Sequence, residues 1–433
     1  MNAPNRTMVN GIRTAGSQTS VRRILGERAW QMDSGSDEHA RRVVIGPSGV
    51  YVTGWTFASL DGNPSAGGRD GFLAKYDFNG RKLWSRQFGS SLEDVANDVA
   101  VDVNGANVLV VGTTSGTMDG NTSAGGYDIF LVSFSSGGVK QWTRQLGTGG
   151  NDFGNAVAAG PDQVSNDVYV AGSVSGALDG NPYAGSRDVA LIKFNLSGIQ
   201  QWSRVSGTPL DDEPAGIAVR VIPFGNVVVA GTTFGNLDGN TNAGQGDAFL
   251  MQYSLSGSKR WTRQLGTSQD DRAYGLAVDS FGKAYVAGDT RGSLGGNTNA
   301  GQSDAFLAKY ASTGLEWVRQ LGTTAFDTAF GIAVDSSENP YITGYTTGHL
   351  EGNRFDGRSD LFLAKYDPDG AQQWIRQLGD IGTDVAFDVD IDADDNAYVA
   401  GYTDNGWGGF PALIDGRVDS LLMRFDALNN LYR

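Results

Sequence analysis

The sequence has no cysteine, which excludes a disulfide framework, an iron–sulfur cluster, a thiolate zinc site and a cysteine nucleophile. Histidine is almost as scarce. His39 and His349 are the two present, and they fall in different repeats. No Ser/His/Asp order stands in a motif context, and no G-x-x-x-x-G-K followed by Ser or Thr occurs, so neither a triad hydrolase nor a P-loop is written here. No run of about 18 apolar residues exists, and a spanning helix and membrane insertion are not expected. Bases are outnumbered 33 to 48, for a formal charge of −15, which points away from nucleic acid, whose phosphates call for a basic stripe. Proline numbers 11, too few for a collagen-like chain. The abundant residue is glycine, 63 of 433, roughly double its ordinary share of ~7%.

The one basic-biased stretch is N-terminal, with Arg6, Arg13, Arg22, Arg23 and Arg28 before Asp33 against the single acid Glu27. It is rich in Asn, Ser and Thr, so residues 1–20 are expected to be a flexible tail ahead of one domain over 21–433. It lacks an apolar core and does not read as an intact secretory signal.

Tryptophan recurs at Trp30, Trp84, Trp142, Trp202, Trp261, Trp317 and Trp374, at intervals of 54 to 60 residues. Arginine follows two residues later in six of seven cases, and four read W-x-R-Q-L-G. The first repeat departs, with Met32 in the Arg position. The repeated Arg suggests a structural pairing, with an Asp of a neighbouring strand as the expected partner. An Asp stands ten residues after six of the Trp (Asp94, Asp152, Asp212, Asp271, Asp327, Asp384), and Asp37 is the expected equivalent in the first unit.

Each unit holds four strand-like runs. In one of them these are AYGLAVD (273–279), AYVAG (284–288), DAFLAKY (304–310) and EWVRQLG (316–322). Alternation with aromatic and β-branched residues between Gly and Asx turns is a strand signal, and no 3.6-residue period competes. Four antiparallel strands repeated seven times predict an all-β, seven-bladed β-propeller. Gly is then turn chemistry. The last unit ends on DSLLMRFD (419–426) and lacks a fourth strand, which the Trp30 strand is expected to supply, closing the ring. The segment NNLYR (429–433), with Tyr432 in the Trp position, is the other candidate.

The pattern AxGIAVD…G…YVAGTT…LDGN…AG…DAFLAKYD…G…W.RQLGT resembles the SBBP family of bacterial β-propeller repeats, over roughly residues 28–426. The resemblance implies a seven-bladed propeller of secreted or cell-surface proteins, and implies little about activity.

The most regular polar element is the loop between the second and third strands, D-G-N-x-x-A-G-x-x-D. It carries Asp61, Asn63 and Asp70; Asp119, Asn121 and Asp128; Asp179, Asn181 and Asp188; and Asp238, Asn240 and Asp247. Gly295 and Glu351 take the first position in two further loops. Two readings compete. Several hard oxygen donors in a Gly-rich loop suit Ca2+. Alternatively, Asp-Gly-Asn is an Asx turn and the last Asp caps a strand. Topology puts these loops on the same face as the Asp-bearing crossovers, so that face is expected to hold much of the negative charge.

Non-repeating positions speak more directly to function. After the Gly ending the second strand stand Trp55, Tyr345 and Tyr402, in units one, six and seven, which are neighbours in a closed ring. The seventh loop replaces D-G-N with a stretch carrying Trp407 and Phe410. Together these predict an aromatic sector that stacks a sugar or seats an apolar side chain. Packing around an irregular closure is the competing reading. The expected function is a non-catalytic module that recognises a protein or glycan. A component of a larger surface assembly is the first alternative. A polysaccharide-active enzyme, with His349 and Glu351 as first suspects, is the second.

Overall fold

The computed structural model describes residues 20–24, 27–32, 36–160, 167–220, 225–404 and 418–426. They form seven antiparallel sheets, one per repeat. Blade 1 is Glu38–Gly46, Gly49–Thr56, Asp70–Tyr76 and Lys82–Phe88. The innermost strands of blades 2 to 7 are Asp94–Val101, Phe153–Ala159, Asp212–Arg220, Asp271–Val278, Asp327–Val334 and Asp384–Ile391. Helix is confined, among the described residues, to three-residue 3-10 turns in the loops of blades 4, 5 and 6.

The ring closes as the phase of the repeat predicts. Strand β2 (Glu27–Met32) pairs with the third strand of blade 7, Asp419–Phe425, from Arg28 opposite Arg424 to Met32 opposite Ser420. Strand β1 (Ser20–Ile24) adds a fifth, outermost strand that the repeat did not announce. The alternative segment 429–433 and the tail 1–19 lie outside the described residues.

The core is a set of seven apolar clusters, one between each pair of neighbouring blades. Tyr51 and Leu73 of blade 1, for example, meet Val99, Val110 and Phe130 of blade 2. Each blade presents apolar residues on both faces, so the middle strands are almost wholly buried.

The repeated Trp and Arg link blades at the rim. Trp84 of blade 1 lies against Gly138 in the turn of blade 2, Trp142 against Gly198, and Trp202 against Gly257. The Arg guanidinium stacks on its own indole, at 4.8 Å in blade 4 and 5.1 to 5.4 Å in blades 1, 2, 3 and 5. It donates to a turn carbonyl of the next blade: Arg86 Nε to Gly138 O at 2.6 Å, Arg144 Nε to Gly198 O at 2.7 Å, Arg204 Nε to Gly257 O at 2.9 Å and Arg319 Nε to Gly370 O at 2.8 Å. The partner is therefore a backbone carbonyl and not the Asp expected from sequence. The turn has a positive-φ Gly whose carbonyl is otherwise uncommitted, and the planar guanidinium reaches it while covering the Trp. Replacing Arg144 by Ala is expected to lower unfolding free energy by about 1–3 kcal/mol, the range for a hydrogen bond to a charged group. Lys should recover little of it. Denaturant midpoints of the two variants check this.

Candidate functional site

The D-G-N loops are built as turns. Asp61, Asp119, Asp179, Asp238 and Glu351 all adopt φ near +50°, a left-handed position that Asp tolerates better than most residues. Their carboxylates reach the fourth strand of their own blade. Asp61 accepts from Lys82 Nζ at 2.5 Å and Ser85 Oγ at 2.7 Å, Asp119 from Lys140 at 2.6 Å and Thr143 at 2.5 Å, and Asp238 from Lys259 and Thr262. Gln200 donates to Asp179 at 2.6 Å. Asn63, Asn121, Asn181 and Asn240 each donate Nδ2 to the carbonyl three residues earlier, at 2.8 to 2.9 Å. The last Asp returns to the loop: Asp70, Asp128, Asp188 and Asp247 accept at Oδ2 from the backbone N–H four residues earlier. The Gln of R-Q-L-G adds a second bond to Asp70, Asp128 and Asp247, and Val205 replaces it in blade 3. The three positions of each loop thus go to separate protein partners. Among the described residues no group of three or more His, Asp or Glu is placed to hold a metal ion. Oδ1 of Asp70, Asp128, Asp188, Asp247 and Asp304 is buried without a hydrogen-bond partner among the described residues, as is Oδ1 of Asp94, Asp289 and Asp384.

The crossover aspartates do not present charge to solvent as expected. Asp94, Asp152, Asp212, Asp271, Asp327 and Asp384 are fully buried, each holding the backbone N–H four residues earlier. In the first unit Glu38, not Asp37, takes this place: Glu38 N–H bonds Val418 O, as Asp94 N–H bonds Arg69 O. These acids are structural staples, and the face they anchor is less anionic than a count of carboxylates suggests.

Burial raises many of these carboxyl pKa values. Asp384 is pushed up to about 7, and so is Asp390 in the channel. Asp98 and Asp289 rise to about 6. A carboxyl whose pKa is higher folded than unfolded binds its proton more tightly in the fold. Its contribution is full below the unfolded value near ~3.9 and is lost as pH rises through the folded value. His39 acts oppositely. Burial lowers it to about 4, so its contribution is present above ~6.5 and is lost as pH falls. Four carboxyls outweigh one imidazole, and the melting temperature is expected to be higher at pH 5.5 than at pH 8 by scanning calorimetry. A flat or rising profile toward pH 8 would contradict the burial of these groups.

Three of the predicted aromatic residues, Trp55, Tyr345 and Tyr402, lie at the ends of second strands in blades 1, 6 and 7, on the crossover face. Trp55 is buried and stacks on His39 with ring centres 4.0 Å apart, and His39 meets Tyr402 at 4.8 Å. Tyr402 meets Phe387 at 5.6 Å, and Tyr345 meets Phe330 at 5.8 Å. Trp407 and Phe410 lie outside the described residues. His349 and Glu351 sit apart on the blade 6 loop. His349 Nδ1 is 3.2 Å from Asn353 O, and Glu351 is held by Gln372 at 2.6 Å.

Sequence reasoning missed the residues that line the mouth of the central channel. Every innermost strand carries a β-bulge, and the extra residue is Arg41, Asn97, Asn155, Ala215, Tyr274, Phe330 or Phe387 in blades 1 to 7. All seven line one cavity of about 340 Å³. A bulge turns a side chain off the regular alternation, and here it does so seven times toward one point. The Gly of the second strand makes the bulge possible. A Cβ at Gly288 would lie 1.8 Å from Arg272 O, and one at Gly344 1.8 Å from Thr328 O. The third residue after each strand-opening acid runs Arg, Asn, Asn, Ala, Tyr, Phe, Phe from blade 1 to blade 7, and the first residue after that acid varies as much, so variability alone did not single out the bulge.

The mouth is two-sided. Tyr274, Phe330 and Phe387 form an arc at 5.1 and 5.3 Å between centres. Arg41, Asn97 and Asn155 form the other side. Below them Arg42 is paired with Asp388 at 3.4 Å and Asp98 at 3.7 Å, at the head of a channel of about 630 Å³.

Residues 260–300, 316–351 and 373–406 match the SBBP beta-propeller repeat. These three stretches lie within blades 4 to 7, and the other blades have the same four-stranded antiparallel order. The regulatory protein FlaEY of Caulobacter vibrioides is 26% identical over 335 residues, covering 67% of this chain and 34% of that protein. An uncharacterized WD repeat-containing protein of Acanthamoeba polyphaga mimivirus is 21% identical over 432 residues, covering 76% of this chain and 31% of that protein. The chain spans about a third of the length of these relatives. Among solved structures, YCF48 bound to D1 peptide aligns with a TM-score of 0.46 at 10% identity, over 94% of this chain and 98% of that one. Trypanosoma rangeli sialidase in complex with sialic acid aligns with a TM-score of 0.41 at 10% identity, over 91% of this chain and 55% of that one.

Proposed function

We propose that the protein is a non-catalytic binding module that recognises a protein or glycan surface through the channel mouth on its crossover face. The observation that carries this is the ring of seven bulges. Each blade sets its bulge residue at the cavity, and these residues range from arginine and asparagine to tyrosine and phenylalanine on a common frame, which is how a rigid scaffold carries specificity. The aromatic arc supplies apolar area with little side-chain entropy to lose, and Arg41 and the two Asn supply direction. Replacing Phe330 and Phe387 together by Ser is expected to abolish binding on protein and glycan arrays while the fold, read by circular dichroism, persists. Unchanged binding would remove the mouth as the site.

A component of a larger assembly is the second reading, supported by exposed apolar residues on the crossovers, Leu92, Leu210 and Ile381, the last 78% exposed. Ordered multimers on a sizing column would favour it. Calcium stabilisation belongs to the same proposal for one reason, the buried Oδ1 atoms that lack a donor. A thermal shift on adding calcium to chelator-stripped protein supports it. No heat and no shift would remove it.

A further inference from the structure

The two sides of the mouth differ in what they leave unsatisfied. Arg42 is spent on Asp98 and Asp388, and Glu213 on Arg187 at 2.5 Å. Arg41 is not spent. Its Nε is buried without a hydrogen-bond partner among the described residues, and its guanidinium lies 5.0 Å from the centre of the Phe387 ring. Burial lowers its pKa, and so do the neighbouring Arg42 and Arg69. Asn155 Oδ1 is likewise buried without a donor, while the neighbouring Asn97 is committed, donating to Gly154 O at 2.8 Å. One buried donor wants an anion and one buried acceptor wants an N–H. Both residues line the same cavity as the tilted rings, which stand at 66° between Tyr274 and Phe330 and 42° between Phe330 and Phe387.

Resting on the reading of the mouth as the binding site, we propose that it receives the C-terminal end of a peptide. The terminal carboxylate sits on Arg41, the last backbone N–H donates to Asn155 Oδ1, and an apolar last side chain enters the Tyr274–Phe330–Phe387 cup. A cavity of about 340 Å³ is near the lower limit of ligand pockets, roughly 300 Å³, and suits a chain end better than the middle of a polymer. Rings set at angles enclose an apolar side chain, whereas a sugar stacks on one open ring face. Capture of a terminal carboxylate is a known mode of peptide recognition, and Arg is suited to it by its planar fork. Because Arg41 borders Phe387, carboxylate and side chain can belong to one residue.

The test is fluorescence anisotropy on the full chain, with N-terminally labelled hexapeptides ending in Phe, Leu or Val, each as free acid and as C-terminal amide. Sialylated and glucuronic-acid oligosaccharides run beside them. The free acids are expected to bind, with amidation costing roughly tenfold or more in affinity, the scale of one charge-assisted hydrogen bond. In Arg41→Gln, checked for an unchanged melting temperature, acid and amide should bind equally and weakly. Arg41→Lys should restore part of the preference. Equal binding of acid and amide to the parent protein, an undiminished preference in Arg41→Gln, or no peptide binding overturns the inference. Binding of the acidic sugars alone, dependent on Arg41, also overturns it but leaves the proposed function standing. That function fails on its own criterion, array binding that survives the Phe330 and Phe387 replacements.

Discussion

Deleting residues 1–33 is expected to lower the melting temperature sharply and to increase aggregation. The segment removed includes β2, which supplies the fourth strand of blade 7 through five paired residues. Without it the third strand of that blade becomes an open edge, with unpaired N–H and C=O groups free to recruit other chains. The apolar loss is equally specific. Trp30 is 1% exposed and packs in the cluster between blades 7 and 1 with Val50, Phe72, Tyr76, Tyr398 and Leu422. Its indole lies so close to the blade 1 turn that a Cβ at Gly80 would be 1.6 Å from it. Trp30→Ala alone should remove about 3–5 kcal/mol, the usual range for emptying a buried aromatic site. Truncation at residue 19, which keeps both β1 and β2, is the control. Calorimetry and light scattering on the three proteins read the result. An unchanged melting temperature after the longer deletion would mean that another segment closes the ring.

Replacing Arg42 by Ala is expected to cost about 1–3 kcal/mol at neutral pH, because it leaves two part-buried carboxylates without their counterion. Arg42 joins the three blades around the closure: it stands on blade 1, Asp98 on blade 2 and Asp388 on blade 7. Its Nη2 also lies 3.4 Å from Ala215 O across the channel. The two carboxylates hold strands in place as well, accepting from Val157 N–H at 2.7 Å and Val43 N–H at 3.0 Å. Burial already raises both their pKa values, Asp98 to about 6, and losing the arginine raises them further. A carboxyl with a raised folded pKa is least unfavourable where it is protonated, so the deficit of the variant should shrink as pH falls from 8 to 5. Adding Asp98→Asn and Asp388→Asn to Arg42→Ala should recover much of the loss at pH 8. Urea unfolding at the two pH values decides it. An equal deficit at both would show that the arginine acts through packing and not through charge.

Much of the architecture was legible because the repeat records it. Seven Trp at near-equal spacing, four alternating runs per unit and an unfinished last unit are local facts, and each became a blade, a strand or a closure. The partner of the Arg after each Trp was misjudged, since a turn carbonyl about fifty residues away leaves no mark in sequence. The acidic rings were misjudged for a related reason. An Asp reads as surface charge until its burial and its hydrogen bonds to the chain are known. Trp55, Tyr345 and Tyr402 belong to units one, six and seven, which the closed ring makes adjacent, and their rings meet only through intervening residues. Their link through His39, Phe330 and Phe387 was not visible.

By itself, then, the sequence determined a seven-bladed all-β ring and its closure by the Trp30 strand, because periodicity and turn chemistry act within a single unit. Only the tertiary structure decided what the mouth is made of. Arg41, Asn97, Asn155, Ala215, Tyr274, Phe330 and Phe387 hold one repeat position in seven different blades, and no local signal says that this position points to the channel mouth. The bulge at each innermost strand turns one residue out of register, and ring closure brings the seven to a common centre.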